Sequence, residues 1–154
     1  MGVTVSNDRW LLIGIHGKDK RHTCQGAGNV KLVFGDYPID QLHPGARKAH
    51  EAARCANEQG QFWAYHDVLF ANAPKASSEQ LKVYAQEVGL DVAAFKQCLV
   101  SGKDQAAVQK DIDEGTRAGV TGNPGFFING RLVSGAQPLD RFMQIIEDQL
   151  AQAR

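Results

Sequence analysis

No long hydrophobic run, no excess of charge of either sign and no C-x-x-C occur in this sequence of 154 residues. The longest apolar stretch, Trp10 to Ile15, has a glycine inside it. It is shorter than the roughly 20 residues that cross a bilayer and shorter than the apolar core of a secretory signal. The chain is therefore expected either in the cytoplasm or exported with its signal already removed, and no membrane partner is expected. Lysine plus arginine and aspartate plus glutamate number 17 each, so no electrostatic case exists for nucleic acid or an anionic membrane surface. Three cysteines, Cys24, Cys55 and Cys98, fit no zinc spacing, and an odd count leaves at least one without an intramolecular partner. His16, His22 and Cys24 form a loose trio that matches no established metal site, so no metal and no cofactor is expected. Repeats, low-complexity tracts and linkers are also lacking, which leaves one domain over residues 1–154.

What is present falls into three zones. In residues 1–29, Trp10 to Ile15 has the all-apolar character of a strand buried on both faces, while His16 to Asn29 is polar, glycine-rich and without helical period. A strand follows at Val30 to Phe34, and then a series of helices. Pro44 suits a first helical position, Ala46, Ala49, Ala53 and Ala56 make a narrow packing face, and Gly60 stops it. Phe62, Tyr65, His66, Leu69 and Phe70 give a second amphipathic helix. Ser77 and Gln80 form a capping box ahead of Leu81, Tyr84, Ala85 and Val88, and Gly89 ends that helix. Asp91 caps a fourth, with Val92, Phe95 and Leu99. A fifth, from about Asp104, carries Val108, Ile112 and Thr116. The last zone is a hairpin, Phe126 to Ile128 and Leu132 to Ser134 around Asn129-Gly130, whose turn positions need positive φ. Pro138 then opens a helix with Leu139, Phe142, Met143, Ile146 and Leu150 on one face.

Three segments in unbroken order, "HPGARKAHEAARCANEQGQFWAYHDVLFAN" (43–72), "LKVYAQEVGLDVAAFKQCLVSGK" (81–103) and "GVTGNPGFFINGRLVSGAQPLDRF" (119–142), resemble the DsbA-like branch of the thioredoxin superfamily. The resemblance covers roughly residues 30–150. It implies a thioredoxin-like α/β fold with a helical insertion, about residues 43–118, and an atypical N-terminal segment, residues 1–29. It also implies thiol–disulfide oxidoreductase ancestry, with a C-x-x-C at the start of the first long helix and a cis-proline loop that holds the substrate peptide. Pro124 matches that proline. Asn123 stands where the family commonly has valine or threonine, and Gly125 after the proline is unusual.

The dithiol has no counterpart. Its place lies before Val30, where the nearest feature is Cys24-Gln25-Gly26-Ala27, with alanine at the second cysteine position. Exchange through a dithiol needs one thiolate to attack and a second to resolve the mixed disulfide. Two readings stay open. In one, the loop at Asn123, Pro124 and Gly125 binds an extended peptide or protein partner by strand addition. In the other, Cys24 alone is catalytic, in monothiol exchange. Cys55 and Cys98, which recur together in proteins of this type, are either a structural disulfide or two reduced, buried cysteines. His50 and His66 read as structural, and Phe62, Trp63, Phe126 and Phe127 as core.

In the thioredoxin topology the first strand lies inside the sheet, next to the strand after the cis-proline. Trp10 to Ile15 suits that slot, followed by a parallel crossover to Val30. The crossover segment, His16 to Asn29, has almost no apolar residues to cover the sheet face. An exposed apolar surface is therefore expected, buried by a second copy of the chain as a homodimer.

Overall fold

Asn129 and Gly130 adopt φ of 48° and 83°, the left-handed pair that lets a two-residue turn match strand twist. The turn joins β4 (Gly125–Ile128) to β5 (Arg131–Ser134) in antiparallel register, Phe127 opposite Leu132. The computed structural model describes residues 9–14, 23–27, 30–73 and 75–152, with 9–14, 23–27 and 30–31 at the level of the backbone. These residues divide into two compact units, one of the described residues up to Tyr37 together with those from Asp113 onward, and one of those from Pro38 to Ile112.

The first unit is built on a 5-stranded sheet of order β2-β3-β1-β4-β5. β1 (Arg9–Gly14) takes the slot between β3 (Val30–Asp36) and β4. It is parallel to β4, with Trp10 opposite Gly125, and antiparallel to β3, with Gly14 opposite Lys31. The expected parallel crossover to Val30 is therefore corrected. A parallel return needs an apolar covering element, which the polar segment after β1 cannot provide. Instead part of that segment becomes an additional strand, β2 (Thr23–Ala27), paired antiparallel along the outer side of β3. The expected exposed apolar face of these strands, and His16 and His22, lie outside the described residues and side chains.

Beyond β1 the packing follows the alternation of β4. Phe127 joins Val120 and Tyr37 on one face. On the other, Ile128 meets Ile145 and Ile146 of α6 (Leu139–Gln152), and Phe126 stacks edge-on against Phe142 with ring centroids 4.5 Å apart. The buried stripe of α6 centres on Phe142 and Ile145, whereas Leu139 and Met143 are 67% and 49% exposed. The helix is thus rotated from the face the sequence pattern suggests. The pattern contains two adjacent apolar stripes, and contact with Ile128 selects the one that includes Ile145.

The second unit is helical: α1 (Ala46–Glu58), α2 (Phe62–Ala71), α3 (Ser78–Glu87), α4 (Val92–Ser101) and the start of α5 (Gln105–Arg117). Gly45, with φ of 91°, precedes α1, so Pro44 stands one turn residue ahead of the helix rather than at its first position. Ala52, Ala53 and Ala56 give α1 a small-residue face that lets α2 and α4 approach closely. The capping box forms, with the Ser77 hydroxyl accepting from the Gln80 N–H and the Gln80 side chain accepting from the Ser77 N–H. The Asp91 carboxylate accepts from the N–H groups of Ala93 and Ala94. Tyr65 is fully buried and its hydroxyl donates to the Leu81 carbonyl at 2.9 Å, as a buried phenol requires. Among the described residues, no helix is long and apolar enough to cross a membrane.

Candidate functional site: the proline loop

After α5 the chain reverses at Gly119, φ 90°, and reaches β4 through Gly122, Asn123 and Pro124. Three anchors fix this loop. The Tyr37 hydroxyl lies 3.1 Å from Thr116 Oγ1 and donates to the Val120 carbonyl at 3.1 Å. The Asn123 Nδ2 donates to the Tyr37 carbonyl. The Gly135 N–H donates to the Pro124 carbonyl at 2.8 Å, tying the loop to the end of the hairpin. The Asn123–Pro124 peptide bond is cis. Pro124 and Gly125 are buried and Asn123 is half-buried. A Cβ on Gly125 would lie 3.3 Å from a methyl of Val120, so glycine lets the loop close against the Val120 side chain.

Within this arrangement Asn123 is under-satisfied. Its side-chain oxygen is buried without a hydrogen-bond partner, a state that buried polar atoms seldom keep. With Nδ2 held by Tyr37, the oxygen is fixed in place as an acceptor. Tyr37 was not singled out by the sequence reading; the signal available was a tyrosine directly after a buried strand and before Pro38. Asp36, buried at the end of β3, was missed as well, since an acidic residue closing a strand looks like a turn.

Cys24 is placed elsewhere. Its backbone on β2 pairs with Val33, in line with Leu12 on β1 and Phe127 on β4. Two strands, β3 and β1, intervene, which puts Cys24 about 14 Å from β4 at ordinary strand spacing. Along the strands, Cys24 lies level with Phe127, three residues beyond Pro124. The structure therefore brings together Asn123, Pro124 and Gly125 and leaves Cys24 apart from them.

The thioredoxin family pattern matches residues 22–148. The chain belongs to the thioredoxin family. It is a DsbA-like member, with the thioredoxin-like α/β fold. A thioredoxin-like oxidoreductase of Silicibacter pomeroyi superimposes with a TM-score of 0.71 at 27% identity, over 80% of this chain and 70% of that one. The "Probable disulfide bond formation protein D" of Bacillus anthracis is 26% identical over 70% of this chain and 52% of its own length. The "Na(+)/H(+) antiporter NhaA 3" of Salinispora tropica is 32% identical over 82% of this chain but only 19% of its own length. This thioredoxin-family chain thus spans about a fifth of the length of the antiporters it matches.

In the helical unit, Cys55 and Cys98 form a disulfide across α1 and α4, with Cα atoms 5.9 Å apart. His50 is buried, and His66 stacks on Phe70 at 4.6 Å between ring centroids and lies 5.1 Å from Trp63.

Proposed function

We propose that this thioredoxin-family chain binds an extended peptide at Asn123-Pro124-Gly125 and has no dithiol turnover through the cysteines of this sequence. The observation that carries the reading is Asn123, whose side-chain oxygen lacks a partner while Nδ2 is anchored to Tyr37. That oxygen is enclosed in this structure, so a peptide that displaces its cover would supply the missing donor through an N–H, beside the backbone contacts of strand addition. The chemistry agrees, because the sequence contains no C-x-x-C, two of its cysteines are joined to each other, and a lone third cannot resolve its own mixed disulfide. The antiporter match covers too small a share of those proteins to support ion exchange.

The test is a fluorescence-anisotropy screen of labelled extended peptides, run beside a dithiol-peptide oxidation assay. Binding that weakens roughly tenfold in Asn123→Ala, the loss of about one hydrogen bond to a buried group, supports the reading. Catalytic oxidation with turnover would overturn it. The second reading, monothiol exchange at Cys24, is favoured by one observation: β2 is the edge of the sheet, so Cys24 does not need the proline loop to meet a disulfide. Loss of glutathione exchange in Cys24→Ser with peptide binding unchanged would select it. We also propose self-association as a homodimer, to which the exposed Leu139 and Met143 of α6 lend apolar surface. Sedimentation at micromolar concentration tests this, and a monomer would count against it.

A further inference from the structure

The disulfide of the helical unit has an anion beside it. Oδ2 of Asp104, the residue before α5, lies 3.7 Å from Cys55 Sγ and 3.6 Å from Cys98 Sγ. A disulfide carries no S–H to donate, so these are contacts of a carboxylate with both sulfurs rather than hydrogen bonds. The three atoms lie within 4.8 Å of one another. Cys55 and Cys98 are 1% and 8% exposed, while Asp104 is half-buried, which leaves an approach from solvent on the carboxylate side.

The distances from the Asp104 oxygen to the two sulfurs are those found between ligands of one metal ion. Tetrahedral zinc, with sulfur at about 2.3 Å and carboxylate oxygen at about 2.1 Å, sets its sulfur and oxygen ligands about 3.6 Å from each other. Asp104 already stands at that separation from each sulfur. Only the two sulfurs have to part, to about 3.8 Å, and side-chain rotation on two facing helices supplies such a shift.

We propose that reduction of Cys55–Cys98 creates a zinc site of Cys55, Cys98 and Asp104, with the fourth position open to water. This goes beyond the peptide-binding reading and does not depend on it. The reductant is a dithiol. One of its thiolates attacks a sulfur of the bridge, the Cys55–Cys98 bond breaks, and the released sulfur takes a proton. The second thiol of the reductant closes on the first, frees the other cysteine, and leaves as a cyclic disulfide, so two electrons pass to the protein. Zn2+ then displaces one proton from each thiol. Without metal, two thiolates and the Asp104 carboxylate would repel one another. With metal, the repulsion among three anions becomes ligation. The site is thus closed to zinc when oxidised and open to it when reduced.

The test uses the full chain carrying Cys24→Ser, which leaves only the two site cysteines. Zn2+ is titrated against a chromophoric chelator into the oxidised protein and into the phosphine-reduced protein, and Co2+ is added to look for thiolate charge-transfer absorption. The proposal expects one Zn2+ per reduced chain and no uptake by the oxidised chain. Adding Asp104→Asn should weaken binding at least about tenfold, since even outer partners of metal ligands are worth roughly 10–100-fold. Circular dichroism follows folding, and the oxidised Asp104→Asn protein confirms that this substitution folds. If reduction loosens the helices, zinc should restore their signal. Equal uptake by oxidised and reduced protein, no uptake by the reduced protein, equal affinity in Asp104→Asn, or helices that zinc fails to restore would each overturn the proposal.

Discussion

The helical unit and the sheet unit solve the same problem differently. The helical unit is held by interactions close in sequence or covalent: the capping box at Ser77, the Asp91 cap, and the Cys55–Cys98 bridge. The Arg54–Asp111 ion pair at 2.7 Å, with both side chains largely buried, joins α1 to α5. The sheet unit depends on pairings between distant strands, and there the chain departs from the expected topology. β1 fills the central slot with reversed direction, and β2 is added at the edge. Locally encoded helices form where their own segments suggest, whereas the slot defined by non-local pairing takes its strand in a direction the sequence does not mark. A sheet requires its central backbone groups to be paired, and either direction meets that need.

The largest expected way to break this contrast is to remove the bridge. Cys55→Ser with Cys98→Ser should lower the stability of the helical unit by about 4 kcal/mol, from the entropy of the chain it closes. Urea unfolding read by Trp63, in a Trp10→Phe background, measures it. If a Trp10 reporter in a Trp63→Phe background shifts by the same amount, the two units unfold as one and the contrast is structural only. Next, Ile128→Ala should cost roughly 3 kcal/mol, because Ile128 is 1% exposed and packs on Ile145. A loss confined to the Trp10 signal would sharpen the comparison. Asp91→Ala should cost about 1 kcal/mol through the lost cap, seen in the Trp63 transition. The smallest effect is pH-dependent. Burial first, then the neighbouring Tyr84, pushes Tyr65 above the ordinary tyrosine value of 10.0. Its contribution is therefore complete below that pH. It declines above it, as the unfolded tyrosine ionises while the folded one stays protonated. Tyr65→Phe should cost about 1 kcal/mol at neutral pH and flatten the fall in stability between pH 10 and 12; an unchanged alkaline slope would assign that slope to other groups.

The same contrast explains what could be read from the sequence. Ser77 to Gln80, Asp91 and Asn129-Gly130 are short signals whose chemistry is complete within four residues, and each forms as its sequence suggests. The direction of β1 has no such signal, since an all-apolar strand pairs either way. β2 was hidden because Thr23 is the single aromatic or β-branched residue in Thr23-Cys24-Gln25-Gly26-Ala27, although Gly28-Asn29 before β3 is a hairpin-type dipeptide. The rotation of α6 was unreadable for a related reason: Leu139 and Met143 are as apolar as Ile145, and only the position of Ile128 tells them apart. At the candidate site, Pro124 was visible from its neighbours in sequence. Tyr37, 86 residues from Asn123, became visible only once the two were folded together.

The reversal of β1 has a consequence for anything carried ahead of it. Trp10 sits opposite Gly125, so the chain enters this strand at the end of the sheet where the proline loop lies. A peptide fused upstream of Arg9 would be tethered beside Asn123, at an effective concentration on the order of millimolar for a short flexible link. If the proposed peptide site is real, a segment attached ahead of Arg9 would thus be offered to it in cis.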